Sequence, residues 1–331
     1  MTKETINNII KSLENNTEAS VISAFNFSSE NRNQLLFFCK PEVFFPEAKS
    51  DKIIELAMAK FSSFHVKVEG IACMSGKYLG EKGIMDKHYG FINRLSKGVS
   101  KIIQPEELAR IQELAGFSKD DSFEVLGGHE MIEKHNLSTQ QLTHLWNSQP
   151  NMKIRSGFYF VVLNVDNKKI ALVNGFHPAQ LEHFTGKDSK IVLVLLSSNQ
   201  DFSLLKNSMA GATSPDKASV DSIRGEIFLN QKALGVEEIS MFKNFVHLSA
   251  GPFEAAFEIN NFLSTLSAAG FDFSKINVSL KAKKLGISEE KILKILENPQ
   301  IVINEKSTDL YSVTEEKNTD EALEIYKSFK A

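Results

Sequence analysis

One histidine of this chain stands in a setting that suits covalent group transfer. His247 follows Asn244 by three residues and precedes Ser249, in the pattern Asn-x-x-His-x-Ser. An imidazole nitrogen can attack an electrophilic atom, hold the transferred group and give it to a second substrate. When that group is a phosphoryl group, the transfer depends on positioned cations and hydrogen-bond donors more than on acid–base catalysis. The pattern therefore predicts that cationic and donor side chains accompany His247.

Candidates for these accompanying side chains occur in several parts of the sequence. Lys40 and Arg224 could neutralise phosphate oxygens, and an arginine can do so through two hydrogen bonds at once. Thr213 could donate its hydroxyl to a phosphate, and Tyr89 and Asn244 could donate hydrogen bonds near the reacting atom. Each of these residue types fits phosphoryl transfer.

A carboxylate is predicted on the helix that follows the histidine. That helix begins at Gly251-Pro252, since glycine is a frequent N-cap residue and proline is favoured at the first helical position. Glu258 lies within it. A carboxylate there could hold one imidazole nitrogen of His247 and thereby fix the tautomer of the ring.

Apolar runs predict the strands that must position these side chains. Residues 34–39, 66–74 and 191–196 are runs of this kind, and their length and composition favour buried strands. The first run ends at Lys40, and helical spacing of apolar residues begins at Ser50. Strands and helices therefore alternate in the first part of the chain.

Two further features follow along the sequence. Residues 158–165 and 169–173 predict a hairpin with its turn at Asp166-Asn167. Residues 210–243 predict a long irregular connection, and connections of this length within compact domains are often functional. The candidate threonine and arginine both lie in this connection.

Composition limits the classes of protein to which the chain can belong. Its 331 residues suggest two compact units, or one domain with a large insertion. The net charge of -3 gives no reason to expect nucleic acid as the main partner. Cys39 and Cys73 are too few for a disulfide scaffold, and neither a cleavage signal nor a membrane-length apolar run is present. We expect a cytoplasmic protein without a membrane partner.

Taken together and in order, these residues resemble the nucleoside diphosphate kinase family. The resemblance covers residues 35–89, which carry strand, Lys-Pro, helix, strand, helix and then His88-Tyr89, and residues 190–263. The second block contains the motifs Gly211-x-Thr213-x-Pro215, Ser222-Ile223-Arg224-Gly225 and Asn244-x-x-His247.

The resemblance implies a fold and a division of the chain. The fold is α/β, with a ferredoxin-like core of four antiparallel strands, flanking helices, an inserted α+β segment and a C-terminal extension. The implied segments are an N-terminal extension at 1–33, a split core at 34–103 and 189–264, an insertion at 104–188, and a C-terminal extension at 265–331.

It also implies an activity. A nucleoside triphosphate would phosphorylate the histidine, a nucleoside diphosphate would remove the phosphoryl group, and Mg²⁺ would bridge the nucleotide phosphates. Nucleoside di- and triphosphates are then the partners, and assembly through the core predicts a homo-oligomer. The implied catalytic residues are His247, Glu258 and Ser249, and those that bind or position phosphate are Lys40, Tyr89, Thr213, Arg224 and Asn244.

Three residues depart from the family pattern. Leu248 and Ala250 stand where the family usually has glycine and aspartate, and Asn207 stands where it has a phosphate-binding arginine. Lys206, beside Asn207, is a candidate substitute for that arginine. These departures leave a second hypothesis open, namely a catalytically weak nucleotide-binding or protein-interaction module on the same fold. The histidines of the insertion match no compact pattern of metal ligands.

Overall fold

The protein, seen in a computed structural model, is built from two compact units. The structure describes residues 3–15, 18–118, 122–155, 157–165, 168–240, 242–303 and 306–329. Unit 1 consists of Met1–Lys82 and Lys187–Ala331, and unit 2 consists of Gly83–Gly186.

The described residues contain eleven β-strands, in groups of one to three between the helices. The strands are β1 (Ala19–Ser23), β2 (Asn33–Cys39), β3 (Lys67–Ser75), β4 (Phe123–Gly127), β5 (Met152–Arg155), β6 (Phe158–Val165), β7 (Lys168–Val173), β8 (Lys190–Ser198), β9 (Val246–Leu248), β10 (Gln300–Ile303) and β11 (Lys306–Asp309).

Most of the remaining described residues are helical. The α-helices are α1 (Lys3–Glu14), α2 (Ser50–Ser63), α3 (Gly76–Glu81), α4 (Ile84–His88), α5 (Gly90–Ile102), α6 (Pro105–Leu114), α7 (Gly128–His135), α8 (Thr139–Asn147), α9 (His177–Thr185), α10 (Phe202–Leu204), α11 (Ile223–Leu229), α12 (Pro252–Leu263), α13 (Asn277–Lys284), α14 (Glu289–Ile295), α15 (Leu310–Thr314) and α16 (Thr319–Ser328). A π-helical turn at Leu205–Ala210 continues α10, and a 3₁₀ turn at Pro41–Phe44 follows β2. Among these described helices, none combines the length and the apolar composition that crossing a bilayer requires.

The main sheet of unit 1 has the strand order β1-β3-β8-β2-β9, and every neighbouring pair is antiparallel. The predicted strands at 34–39, 66–74 and 191–196 are confirmed as β2, β3 and β8. β2 is buried along its whole length because its two faces contact different helices. Phe37 packs against Phe61 of α2, whereas Phe38 packs against Phe262 of α12.

The sheet differs from the predicted one at its edge. A four-stranded sheet was expected, but β1, from the predicted N-terminal extension, pairs with β3 and adds a fifth strand. Most of its side chains are only partly buried, so its sequence lacks the apolar run that identifies an interior strand. The mixed α/β architecture itself is confirmed.

Unit 2 is built around a sheet of its own, with the order β4-β7-β6-β5. β4 and β7 are parallel and the other pairs are antiparallel. Alternate residues of this sheet face opposite sides, as the pleat requires. Val125 belongs to a cluster with Leu95 and Val99 of α5, whereas Leu126 belongs to a cluster with Met131 and Trp146 of α7 and α8.

The predicted hairpin is present in unit 2. β6 and β7 pair antiparallel from Phe160 opposite Val173 to Val165 opposite Lys168. The predicted turn residues, Asp166 and Asn167, lie outside the described residues.

The boundaries of the two units differ from the predicted domain boundaries. Unit 2 begins at Gly83, whereas the predicted insertion begins at residue 104. The reason is α5, whose apolar side chains Leu95 and Val99 pack in a core of unit 2. His88 and Tyr89 therefore belong to unit 2 and not to the unit that carries His247.

Candidate active site

His247 lies on β9, the edge strand beside β2. Its partner in the ladder is Phe38, and the two rings stack with centroids 4.5 Å apart and planes inclined by 16°. The neighbours Val246 and Leu248 point into the core on the other face of the sheet, as alternation along a strand requires. His247 thus stands on the face that contacts α12, with 18% of its side chain exposed.

A carboxylate and a hydroxyl form a hydrogen-bonded chain with the imidazole. Nε2 of His247 lies 2.6 Å from Oε1 of Glu258, a fully buried residue of α12. Oγ of Ser249 donates to Oε2 of the same carboxylate at 2.5 Å. Ser249 is itself fixed by Leu36 of β2, because Leu36 N donates to its Oγ and Ser249 N donates to Leu36 O. The three predicted catalytic residues are thus brought together, and the ring orientation is set through Nε2.

The surroundings of His247 favour its neutral form. Burial lowers its pKa well below the ordinary value, and the positive charges of Lys40 and Arg224 lower it further. At neutral pH the imidazole is therefore uncharged. With a proton on the nitrogen that faces Glu258, Nδ1 carries the lone pair that a nucleophile needs.

A strained turn precedes the histidine. Phe245 has a φ of 69°, and Val246 N donates to Asn244 O at 2.8 Å, which is the hydrogen bond of a γ-turn. Two residues at the end of β2 hold this turn. Lys40 N donates to Phe245 O at 2.8 Å, and Phe245 N donates to Oε1 of the buried Glu42 at 2.8 Å.

Glu42 is a site residue that sequence reasoning missed. It follows Lys40-Pro41 directly in a 3₁₀ turn and is only 3% exposed. Its negative charge also raises the pKa values of Lys40 and Arg224, opposite to the effect of burial. An acidic residue in a short apolar stretch after a buried strand was the available signal.

Arg224, at the start of α11, ties two segments of the site together. Its guanidinium donates to the carbonyl oxygens of Gly211 and, at 2.7 Å, of Val246. Burial lowers its pKa to about 10, so the group still carries its charge at neutral pH. These two hydrogen bonds of the guanidinium go to backbone carbonyls, whereas a phosphate-binding role was predicted.

Asn244 holds the loop that carries Thr213. Its Nδ2 donates to Thr213 O at 2.9 Å, and Asn244 is almost fully buried. The side chain of Thr213 is exposed. The loop begins at Gly211, where φ is 92° and where an added Cβ would lie 2.3 Å from Oγ of Ser222. Glycine is required at this position, because both the backbone conformation and the close approach exclude a side chain.

Lys40 is buried at the end of β2. Its Nζ donates to Phe242 O at 3.3 Å. Burial lowers its pKa, the charge of Glu42 opposes this effect and the charge of Arg224 adds to it, so that the resulting pKa is about 8. Lys40 is therefore a cation that loses its charge in the mildly alkaline range.

Tyr89 is the one predicted site residue that lies in unit 2. Its ring contacts His88, His177 and Phe184, with centroid distances of 4.7, 5.9 and 6.0 Å. The other seven predicted residues all belong to unit 1.

Two of the residues that depart from the pattern of the nucleoside diphosphate kinase family, and the candidate substitute Lys206, also have defined places. Leu248 is buried in the core of unit 1, and Ala250 O accepts a hydrogen bond from Glu316 N at 2.9 Å. Lys206, in the π-helical turn, forms ion pairs with Glu315 and Glu316.

The carboxylates near His247 are poorly suited to bind a free metal ion. Both oxygens of Glu258 are engaged, by His247 and Ser249. Burial, together with the charge of Glu258, raises the pKa of Glu254 to about 8, so Glu254 is protonated at neutral pH. Mg²⁺ prefers charged oxygen ligands and commonly binds together with substrate phosphates. Glu254 and Glu258 therefore offer no free charged oxygen to such an ion.

Comparison with known proteins finds distant structural resemblances only. No protein-family model matches the sequence, and no curated protein matches it. Among solved structures, the apo nucleoside diphosphate kinase from Encephalitozoon cuniculi is 14% identical, with a TM-score of 0.36, covering 77% of this chain and 99% of that chain. An NDP kinase from Pyrobaculum aerophilum is 14% identical, with a TM-score of 0.35, covering 70% of this chain and 94% of that chain. Resemblances this distant carry no argument about activity.

Proposed function

We propose that unit 1 is a nucleoside diphosphate kinase-like phosphotransferase that carries a phosphoryl group on His247. The observation that supports this most directly is the chain from Ser249 through Glu258 to Nε2 of His247, with distances of 2.5 and 2.6 Å. A neutral, oriented and partly exposed imidazole is what nucleophilic catalysis requires. The order β3-β8-β2-β9 of the four core strands supports a ferredoxin-like core.

The proposed reaction has two half-reactions. Nδ1 of His247 attacks the γ-phosphorus of a nucleoside triphosphate. An N–P bond forms, the bond from phosphorus to the bridging oxygen breaks, and the nucleoside diphosphate leaves with that electron pair. A terminal β-phosphate oxygen of a second nucleoside diphosphate then attacks the same phosphorus, and the N–P electron pair returns to the ring. Nε2 keeps its proton, and Glu258 stabilises the positive charge that develops on the imidazole.

The other site residues serve the phosphates in this proposal. Lys40 supplies a positive charge near the attacking ring, and the exposed hydroxyl of Thr213 binds a phosphate oxygen. Arg224 acts in part through position, since its guanidinium holds Gly211 and Val246, and in part through its charge. Asn244 fixes the Thr213 loop. Tyr89 is proposed as a further phosphate-binding residue, and Mg²⁺ arrives with the nucleotide.

Labelling with ATP that carries a radioactive γ-phosphate tests the proposal. We expect a protein-bound label that is labile in acid and stable in alkali, and that is discharged by ADP. His247→Asn should abolish the label, whereas His144→Asn, at an exposed histidine of α8, should retain it. No label on the wild-type protein, or an undiminished label on His247→Asn, contradicts the proposal.

A nucleotide-binding or interaction module is the second candidate function. The ion pairs of Lys206 favour it, because they occupy the residue that was expected to replace a phosphate-binding arginine. Calorimetry with ADP and Mg²⁺, beside the labelling assay, separates the two functions. Binding without labelling supports the module, whereas labelling with discharge by ADP supports the phosphotransferase. We further propose that unit 1 assembles as a homo-oligomer, which light scattering tests.

A further inference from the structure

Lys206 lies beside the proposed phosphate site and is held by acidic residues from the far end of the chain. Its carbonyl oxygen accepts from Gly211 N at 3.1 Å, so it lies one π-helical turn before the loop that Asn244 fixes. Lys206 and Glu315 both act electrostatically on the buried Glu254, as does Glu258, the partner of His247. The ammonium group of Lys206 and the carboxylate that binds His247 thus both act on the same buried residue of α12, Glu254.

Two consecutive glutamates hold this ammonium group. Nζ of Lys206 contacts a carboxylate oxygen of Glu315, and lies 3.0 Å from Oε1 of Glu316. Burial lowers the pKa of Lys206, but the hydrogen bonds and charges of Glu315 and Glu316 outweigh that effect and raise it. The geometry is that of an ammonium between two anionic oxygens, which is also how a lysine binds phosphate.

The backbone of the same segment lies against the start of α12. Glu316 N donates to Ala250 O at 2.9 Å. The carbonyl of Thr314 approaches Gly251 so closely that an added Cβ there would lie 2.7 Å from the oxygen. Ala250 and Gly251 follow His247 by only a few residues. The C-terminal strap (residues 311–317) therefore covers the end of the segment that carries the histidine.

The strap is fixed at both ends and strained between them. On one side Leu310 is fully buried and its N donates to Pro299 O, and on the other Oδ1 of Asn318 accepts from Phe202 N. Between these anchors Glu316 has a φ of 62°, in the left-handed region that residues other than glycine occupy at a cost. The hydroxyl of Tyr311 is buried without a hydrogen-bond partner among the described residues, which also costs free energy. Both features cost free energy when the strap is closed, whereas its two anchors, Leu310 and Asn318, lie outside it.

We propose that the C-terminal strap is an autoinhibitory contact, in which Glu315 and Glu316 bind Lys206 in place of the phosphate oxygens of a nucleotide. This inference rests on the proposed function, since it assigns the phosphate tail of a nucleoside diphosphate or triphosphate to Lys206. When the strap is open, Lys206 is available to the phosphates. While most of the protein is in the closed state, the apparent affinity for nucleotide is reduced in proportion to the fraction that is open.

The double variant Glu315→Gln/Glu316→Gln tests the proposal, because it removes both charges and nearly preserves the side-chain shapes. The matched control is Glu297→Gln/Glu324→Gln, which removes two exposed charges of the same extension. Calorimetry with ADP and Mg²⁺ should show binding about 10-fold tighter for the first variant than for the wild type. The control variant should bind as the wild type does.

Lys206→Gln in both backgrounds makes the test specific. It should change ADP affinity little in the otherwise wild-type protein, where the lysine is already occupied, and should remove the gain in Glu315→Gln/Glu316→Gln. Unchanged or undetectable ADP binding in the double variant, or a gain that survives Lys206→Gln, overturns the proposal. Circular dichroism melting confirms that each variant is folded.

The two proposals fail in different ways. If His247 is labelled but the affinity for ADP is the same in the strap variants as in the wild type, the proposed phosphotransferase function stands and the proposed autoinhibitory contact is wrong. If no label forms but Glu315→Gln/Glu316→Gln raises the affinity for ADP only when Lys206 is present, the proposed contact stands and the proposed phosphotransfer is wrong.

Discussion

A histidine that attacks phosphorus must be uncharged, and the charges around His247 keep it so. Lys40 and Arg224 act on it in the same direction as burial does, and Glu258 holds the proton on Nε2. The cations that would attract a phosphate thus also prepare the nucleophile. Lys40 sets a limit to this arrangement, because its own pKa is about 8.

The labelling rate should accordingly have an unusual pH profile. The histidine remains neutral well below pH 6.5, so we expect no loss of rate around the ordinary histidine pKa. Above about pH 8 the rate should fall, because Lys40 loses the proton and the charge that attract phosphate. Lys40→Arg should move the alkaline limit upward, since an arginine stays protonated there. A rate that declines with a midpoint near 6.5 would contradict the neutral imidazole.

At the level of the elements, the γ-turn before β9 decides where the histidine points. Phe245 occupies a backbone region that bulky residues rarely adopt. The turn persists because both of its peptide groups are bound by the end of β2, through Lys40 N and the carboxylate of Glu42. The γ-turn and the residues that follow β2 therefore stabilise each other.

Glu42→Ala should destabilise the γ-turn at Phe245. The buried Phe245 N–H would lose its acceptor, at a cost of about 1–3 kcal/mol in the free energy of unfolding. Glu42→Gln keeps an oxygen acceptor and should cost less. Urea unfolding measures both, and Glu47→Ala, at an exposed acid of the same segment, is the control. Equal stability of Glu42→Ala and the control would show that the hydrogen bond to Phe245 contributes nothing.

The sequence allowed the interior strands to be predicted and left the edges open. β2, β3 and β8 are long apolar runs, and burial on both faces makes them recognisable. β1 is short and half exposed, so no periodicity marks it. Residue types in order predicted that His247, Ser249 and Glu258 lie together. They did not predict the partners of Arg224, whose guanidinium binds carbonyl oxygens. Which acceptor a donor finds is decided by tertiary packing, which a linear pattern does not contain.

For the molecule as a whole, neutral histidines that are fully or partly buried link stability to pH in both units. In unit 2, Oγ of Ser96 lies 2.8 Å from Nδ1 of His129, and burial lowers the pKa of His129 to about 4. His177 is fully buried, with Nε2 3.2 Å from Oδ1 of Asn93, and burial lowers its pKa as well. His247 adds the same effect in unit 1.

Acid should therefore destabilise the protein before most of its carboxylates titrate. Between pH 6.5 and about 4 the unfolded chain binds protons that folded His129 does not, so stability present above pH 6.5 is lost as the pH falls. We expect a loss of about 1–3 kcal/mol from His129 at pH 4. His129→Gln should make the transition of unit 2 less dependent on acid, as measured by urea unfolding at pH 7 and pH 4.5. The exposed His144→Asn serves as the control, and an unchanged pH dependence in His129→Gln would contradict this account.

The place where unit 2 joins unit 1 has a consequence for how such a chain can change. Ser75 at the end of β3 pairs with Lys190 at the start of β8, and Gly76 N donates to Ser189 O at 2.6 Å. Residues 83–186 thus lie within the connection of a β-hairpin, whose two strands, β3 and β8, are paired up to the ends that they share. The entropy cost of closing the connection between β3 and β8 grows only slowly with its length. A different folded domain, or a short turn, could therefore replace residues 83–186 without a change in the register of the two strands.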